Sequence, residues 1–110
     1  MRGYALGADA DHDLDDIWEY IAEDSGDAAD RLMTKLFGAF EELARTPGMG
    51  HKRADLTQLP VLFWPVGNYL VIYRAEGTPI EVVAIAHGKR DIPEFLRRRV
   101  GGQEGKRPRD

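Results

Sequence analysis

Along the first half of the chain, apolar residues recur every three or four positions. Leu14, Ile17, Trp18 and Ile21 fall at i, i+3, i+4 and i+7, which predicts one amphipathic helix from about Asp11. Asp11, Asp13, Asp15 and Asp16 crowd its first turns, where carboxylates meet the positive end of the helix dipole. Ser25-Gly26 breaks the period, with Gly26 suited to closing the helix. A second helix is predicted from about Asp27, as its N-cap, to Arg45. Its stripe is Leu32, Leu36, Phe40 and Leu43, and Ala28, Ala29 and Ala39 allow close approach. Thr46-Pro47-Gly48-Met49-Gly50 ends it, and so short a turn between the helices makes them an antiparallel hairpin.

The second half is patterned differently. Residues 68–74 (Asn-Tyr-Leu-Val-Ile-Tyr-Arg) and 80–86 (Ile-Glu-Val-Val-Ala-Ile-Ala) read as strands joined through Glu76-Gly77-Thr78-Pro79. Segment 59–66 is broken by Pro60 and Pro65, which donate no ladder bond, so it is expected to form an edge or irregular strand. Tyr4-Ala5-Leu6 can open the sheet, and Asp91 with Pro93 starts a last helix through about Val100. The order β-α-α-β-β-β-α predicts an α+β domain, with the helical hairpin packed on a small, mostly antiparallel sheet. A single domain over 1–100 is expected, followed by a disordered basic tail over 101–110, where nothing apolar remains.

Composition narrows the chemistry. The 110 residues are 43% apolar and 31% charged, ordinary for one soluble core. Without cysteine there is no disulfide, thiolate metal site or cysteine nucleophile. His12, His51 and His87 lie far apart in no ligand spacing, and the Gly48/Gly50 pair follows a helix rather than preceding one. Neither a metal nor a cofactor is therefore expected. No apolar run approaches the roughly 20 residues of a membrane span, and Met1-Arg2-Gly3-Tyr4 leads into acidic residues; a cytoplasmic location is expected. The net charge of -4 conceals a division. Residues 1–42 carry 12 acidic against 3 basic side chains, and residues 43–110 carry 7 against 12. Either the helix faces are simply solvated by carboxylates, or the second half offers a basic surface to an acidic partner.

Four strings occur in order: Asp13-Leu14-Asp15-Asp16-Ile17-Trp18 with Tyr20-Ile21-Ala22; Pro47-Gly48-Met49-Gly50 with Arg53-Ala54-Asp55-Leu56; Val66-Gly67-Asn68-Tyr69-Leu70-Val71-Ile72-Tyr73-Arg74; and His87-Gly88-Lys89-Arg90-Asp91. With the element order, they resemble the RelE/ParE toxin superfamily over about residues 2–97. That resemblance implies a toxin of a type II toxin–antitoxin pair, masked by a small antitoxin (of the ribbon-helix-helix DNA-binding class) whose C-terminal segment wraps it. In the RelE branch the toxin cuts messenger RNA, whereas characterised ParE members poison DNA gyrase.

RNA cleavage through the 2′-hydroxyl needs a proton acceptor, a donor for the leaving oxygen, and cations for the phosphorane charge. The resemblance implies these roles near Val61, Phe63, Leu70, Arg90 and Leu96, and only Arg90 has suitable chemistry. No lysine lies between Arg53 and Arg74. The ParE-like branch is accordingly expected, acting by binding. Two alternatives stay open. One is an endonuclease with His87 as acid/base and Arg90 and Arg74 as phosphate clamps, although His87 reads equally as a strand-end residue bonding locally. The other is a non-toxic partner of an antitoxin. Lys52, Arg53, Arg74, Lys89, Arg90, Arg97 and Arg98 are candidates for contacting the target or nucleic acid, and Trp18, Ile21, Leu36, Phe40, Leu62 and Trp64 for an antitoxin groove. An added strand is expected at the irregular edge around Pro60 and Pro65.

Overall fold

A computed structural model describes residues 3–101. The chain runs β1 (Tyr4–Leu6), α1 (Ala8–Ala22), α2 (Gly26–Arg45), a 3-10 turn (Pro47–Met49), β2 (Leu62–Val66), β3 (Tyr69–Arg74), β4 (Ile80–His87), α3 (Ile92–Leu96) and a π-helical turn (Arg97–Gly101). Every element predicted from the sequence is present, and the α+β class holds. All of the 101–110 tail beyond Gly101 lies outside the described residues.

Boundaries moved where caps decided them. Helix α1 starts at Ala8, three residues before the expected Asp11, because the chain turns into it directly after the last β1 residues. The N-cap of α2 is Ser25 rather than Asp27: Ala28 N–H donates to Ser25 Oγ at 3.1 Å, and Gly26 becomes the first helical residue instead of a terminator. At α3 the expected cap is present, with Glu94 N–H donating to Asp91 Oδ1 at 3.2 Å.

The sheet order is β1-β4-β3-β2; β1 runs parallel to β4 and the remaining pairs are antiparallel. Both faces are covered, which is why β4 reads as a continuous apolar run from Val82 to Ala86. On the first face the hairpin stripe Leu36, Phe40 and Leu43 meets Tyr4, Val71, Tyr73, Ile80, Val82 and Ile85, all buried. The rings of Tyr4 and Phe40 are tilted at 5.5 Å. Tyr73 OH donates to Pro47 O at 2.7 Å and accepts from Gly50 N–H at 2.8 Å, fastening the loop after α2 to the core. On the second face Ile92, Phe95 and Leu96 of the α3 turn cover Phe63, Ile72, Ala84 and Ala86, with Val61, Leu56 and Leu59 alongside. An irregularity in the β3–β4 register at Ile72/Tyr73 shifts the alternation, so that Val82 and Ile85 face the hairpin while Val83, Ala84 and Ala86 face α3.

Segment 59–66 forms a strand only from Leu62 onward. Its outer edge is already occupied: Phe63 exchanges two backbone bonds with His51, at 2.8 and 2.9 Å. Because inward and outward residues alternate, the Pro65 nitrogen also lies on that outer edge, where no donor is needed. At Phe63, the edge expected to take an added strand around Pro60 and Pro65 is bridged by the chain's own His51.

Candidate functional site

The residue that ties the layers together is Asp13. It lies in the buried stripe of α1 (Ala10, Leu14 and then Ile17), and is itself only 8% exposed. Where β1 has ended, its Oδ2 accepts the Ile85 N–H of β4 at 3.0 Å. The same carboxylate takes a two-pronged pair from Arg99, at 2.6 and 3.3 Å, and the Arg99 guanidinium stacks over Phe95 with its carbon 4.3 Å from the ring centroid. Asp9 adds a longer ion pair at 3.9 Å. One carboxylate therefore joins α1, the sheet edge and the C-terminal turn. Burial of a charge is tolerable here because the guanidinium and a backbone donor both face it. Sequence reading took Asp13 for one of several dipole-facing acids. The signal for more was its helical spacing, i and i+4 to Ile17.

A cleft of about 350 Å³ opens between α1 and the β3–β4 end of the sheet. Asp16, Ile17 and Tyr20 form the α1 wall; Tyr69, His87 and Arg90 form the other. The Tyr69 and His87 rings meet edge-on at 5.1 Å. Burial pushes the Tyr69 phenol upward, and Tyr20 across the cleft adds to it. Lys89 N–H donates to His87 Nδ1 at 3.1 Å, the local bond expected of a histidine that holds the turn into the last helix. Arg90 lies over the Phe95 ring at 4.6 Å. Arg74 is elsewhere. It lines a second cleft, of about 310 Å³, with Asp9, Glu81 and Arg99, so the fallback ribonuclease trio His87, Arg90 and Arg74 is divided between two clefts.

The positions to which the resemblance assigns ribonuclease chemistry do converge. Val61, Phe63 and Leu96 are buried in the α3-side core and Leu70 packs against it. Residues distant in sequence come together as an active site requires, but their side chains are hydrocarbon. Those four side chains offer neither a proton acceptor nor a cation; the fifth position, Arg90, lies over the Phe95 ring at the rim of the same layer.

Other candidates scatter. Arg53 is exposed and holds Asp55 through bonds of 2.9 and 2.8 Å, which keeps the Asp55 carboxyl below its usual range. Arg98 and Arg97 likewise hold Glu94 low, first through the Arg98 hydrogen bond. Among the described residues, no carboxylate lies within ion-pair distance of Lys52, Lys89 or Arg74. The groove candidates divide by burial. Leu36 and Phe40 are wholly inside the core; Ile21, Leu62 and Trp64 are half-buried. Trp18 is exposed on α1, where its Nε1–H donates to Asp30 of α2 at 2.8 Å. Among the described residues no group of three metal-ligating side chains forms, and no helix is long and apolar enough to cross a membrane.

A helical hairpin on a four-stranded mixed sheet, with a short helix over the other face, makes this an α+β domain. The comparisons give the family. Residues 4–92 match the model of the ParE toxin of type II toxin–antitoxin systems, parDE, and the chain belongs to that family. It is similar in fold to a chain of the solved structure described as the chromosomal ParDE TA system from P. aeruginosa. That match has a TM-score of 0.65 at 19% identity and covers 79% of this chain and 96% of that one. No curated protein matches.

Proposed function

We propose that this ParE-family toxin is neutralised by a cognate antitoxin of the ribbon-helix-helix class. In the cytoplasm it arrests growth by binding DNA gyrase, without cleaving RNA. The observation that carries the second half is the apolar layer of Val61, Phe63, Leu70 and Leu96. Each proton-transfer role is worth about 10²–10⁴ in rate, so a site built of hydrocarbon is no ribonuclease. Inhibition by binding needs surface rather than an acid/base pair. Lys52, Lys89, Arg97 and Arg98 supply exposed positive charge for it.

Induced expression tests this reading. Inhibited supercoiling with transcripts intact, and relief by the co-expressed antitoxin, are the expected results; site-specific transcript cleavage overturns it. No growth effect in any host would leave only the non-toxic partner. The endonuclease alternative draws support from one observation, that His87, Arg90 and Tyr69 share a cleft. It predicts cleavage that disappears in His87→Ala, and cleavage that survives this change removes His87 as its acid/base.

A further inference from the structure

The sheet separates charge. Helices α1 and α2, over residues 8–45, carry twelve acidic side chains against three basic ones. Segments 52–61 and 87–101, which cover the opposite face, carry three acidic against seven basic. Packing on opposite sides of one sheet turns an uneven sequence into two surfaces of opposite sign. Much of the basic charge on the α3 side is free to act. Lys52, Lys89 and Arg90 are exposed, and neither lysine has a carboxylate within ion-pair distance among the described residues. Arg97 and Arg98 share Glu94, two cations to one carboxylate, and their side chains stay 73% and 78% exposed. Asp9 and Asp13, the hairpin carboxylates that reach toward the C-terminal turn, are held by Arg99.

This face offers a partner little besides charge. Among the described residues the exposed large apolar side chains are Trp18 and Tyr20, and both lie on α1. A protein partner needs apolar or aromatic anchors at the centre of its interface. Single-stranded nucleic acid stacks its bases on exposed rings. Phe63 and Phe95 are buried under the α3-side cover and serve neither. A duplex needs only spaced cations, because its phosphates carry the affinity while its bases stay stacked. The acidic hairpin repels a polyanion from the other side, so approach is confined to one orientation.

We propose that the α3 side of this chain binds the phosphate backbone of duplex DNA through Lys52, Lys89, Arg97 and Arg98, without reading base sequence. The choice of DNA rests on the gyrase reading, whose target works on duplex DNA.

The test is an NMR titration of the isotope-labelled full chain, without antitoxin or gyrase, with a short mixed-sequence DNA duplex. A dissociation constant on the order of 10⁻⁵ M is expected at about 50 mM salt, with shifts centred on the Lys52, Lys89, Arg97 and Arg98 amides. Neutralising three phosphates should make affinity fall roughly fortyfold between about 50 and 200 mM salt. Lys52→Gln and Lys89→Gln should each weaken binding about fivefold and lower the salt slope by about one. Arg31→Gln and Lys35→Gln on α2 should change neither. A loss that left the slope unaltered would mark the lysines as structural and overturn the assignment. So would shifts centred on α1, or no shift with duplex at concentrations on the order of millimolar. Tighter binding of the single strand or of the matching RNA duplex would overturn it as well, and tighter binding of a glutamate decapeptide would give the face to an acidic protein segment instead. Supercoiling is assayed separately: duplex binding without inhibition would remove gyrase and keep the DNA face, and inhibition without duplex binding would do the reverse.

Discussion

The two faces of the sheet are both dry, yet they are covered differently. On one, two helices of 15 and 20 residues lay down a continuous stripe that interlocks with β3 and β4. On the other, a helix of 5 residues and the irregular loop before β2 do the same task. The hairpin carries its own capping and its own interhelical bond, Trp18 to Asp30. The α3 cover depends on reaching across the molecule, through Arg99 to Asp13 and through Phe95 beneath two guanidinium groups. The thin cover also lies over Val61, Phe63, Leu70 and Leu96, which pack as ordinary core.

The largest expected effect tests whether the thick face is the foundation. Phe40→Ala should destabilise by about 3–5 kcal/mol, the usual cost of emptying a wholly buried aromatic site. Phe95→Ala should cost about 2–3 kcal/mol, because a short terminal element can settle into the space. Urea midpoints measure both; equal losses would mean that the second cover is as integral as the first. Asp13→Ala should come next, at about 2–3 kcal/mol, since it strands a guanidinium that is 24% exposed and an inward amide together. Asp13→Asn, which keeps an acceptor for Ile85, should lose less, and hydrogen exchange should report the loss first in α3.

The helix caps sharpen the contrast further. Ser25→Ala should cost about 1 kcal/mol of global stability. Asp91→Ala should leave the urea midpoint nearly unchanged while α3 amides exchange faster, because the cap there governs only a local opening. The smallest effect is acid-dependent. Glu94 is held below the usual carboxylate range by Arg98 and Arg97, so its contribution is complete above the ordinary carboxylate range. It fades as pH falls through the lowered value. The group is exposed, so a pH titration should show faster α3 exchange in acid with the hairpin amides unaffected, and Glu94→Gln should abolish that dependence.

Most of the fold was legible before any coordinates. The 3.6 period of Leu36, Phe40 and Leu43 and the apolar run of β4 are burial written directly into the sequence. Likewise, the hydrocarbon at Val61, Phe63, Leu70 and Leu96 was visible without knowing where those residues meet. The site was harder to see. Asp16, Tyr20 and Tyr69 come from different elements and share no spacing, so nothing local marks them as walls of one cleft.

What the sequence by itself determined, then, is the set of elements, their caps to within a few residues, and the family. Periodicity and capping act between neighbours, and a string of residues records them. Only the tertiary structure decided that Asp13 meets Arg99 across 86 positions and that β1 stops short of Ile85. It also decided that His51 bridges to Phe63 at the outer edge of β2. These follow from where the chain travels between its elements. That path is set by the packing of whole faces, and no short run of residues encodes it.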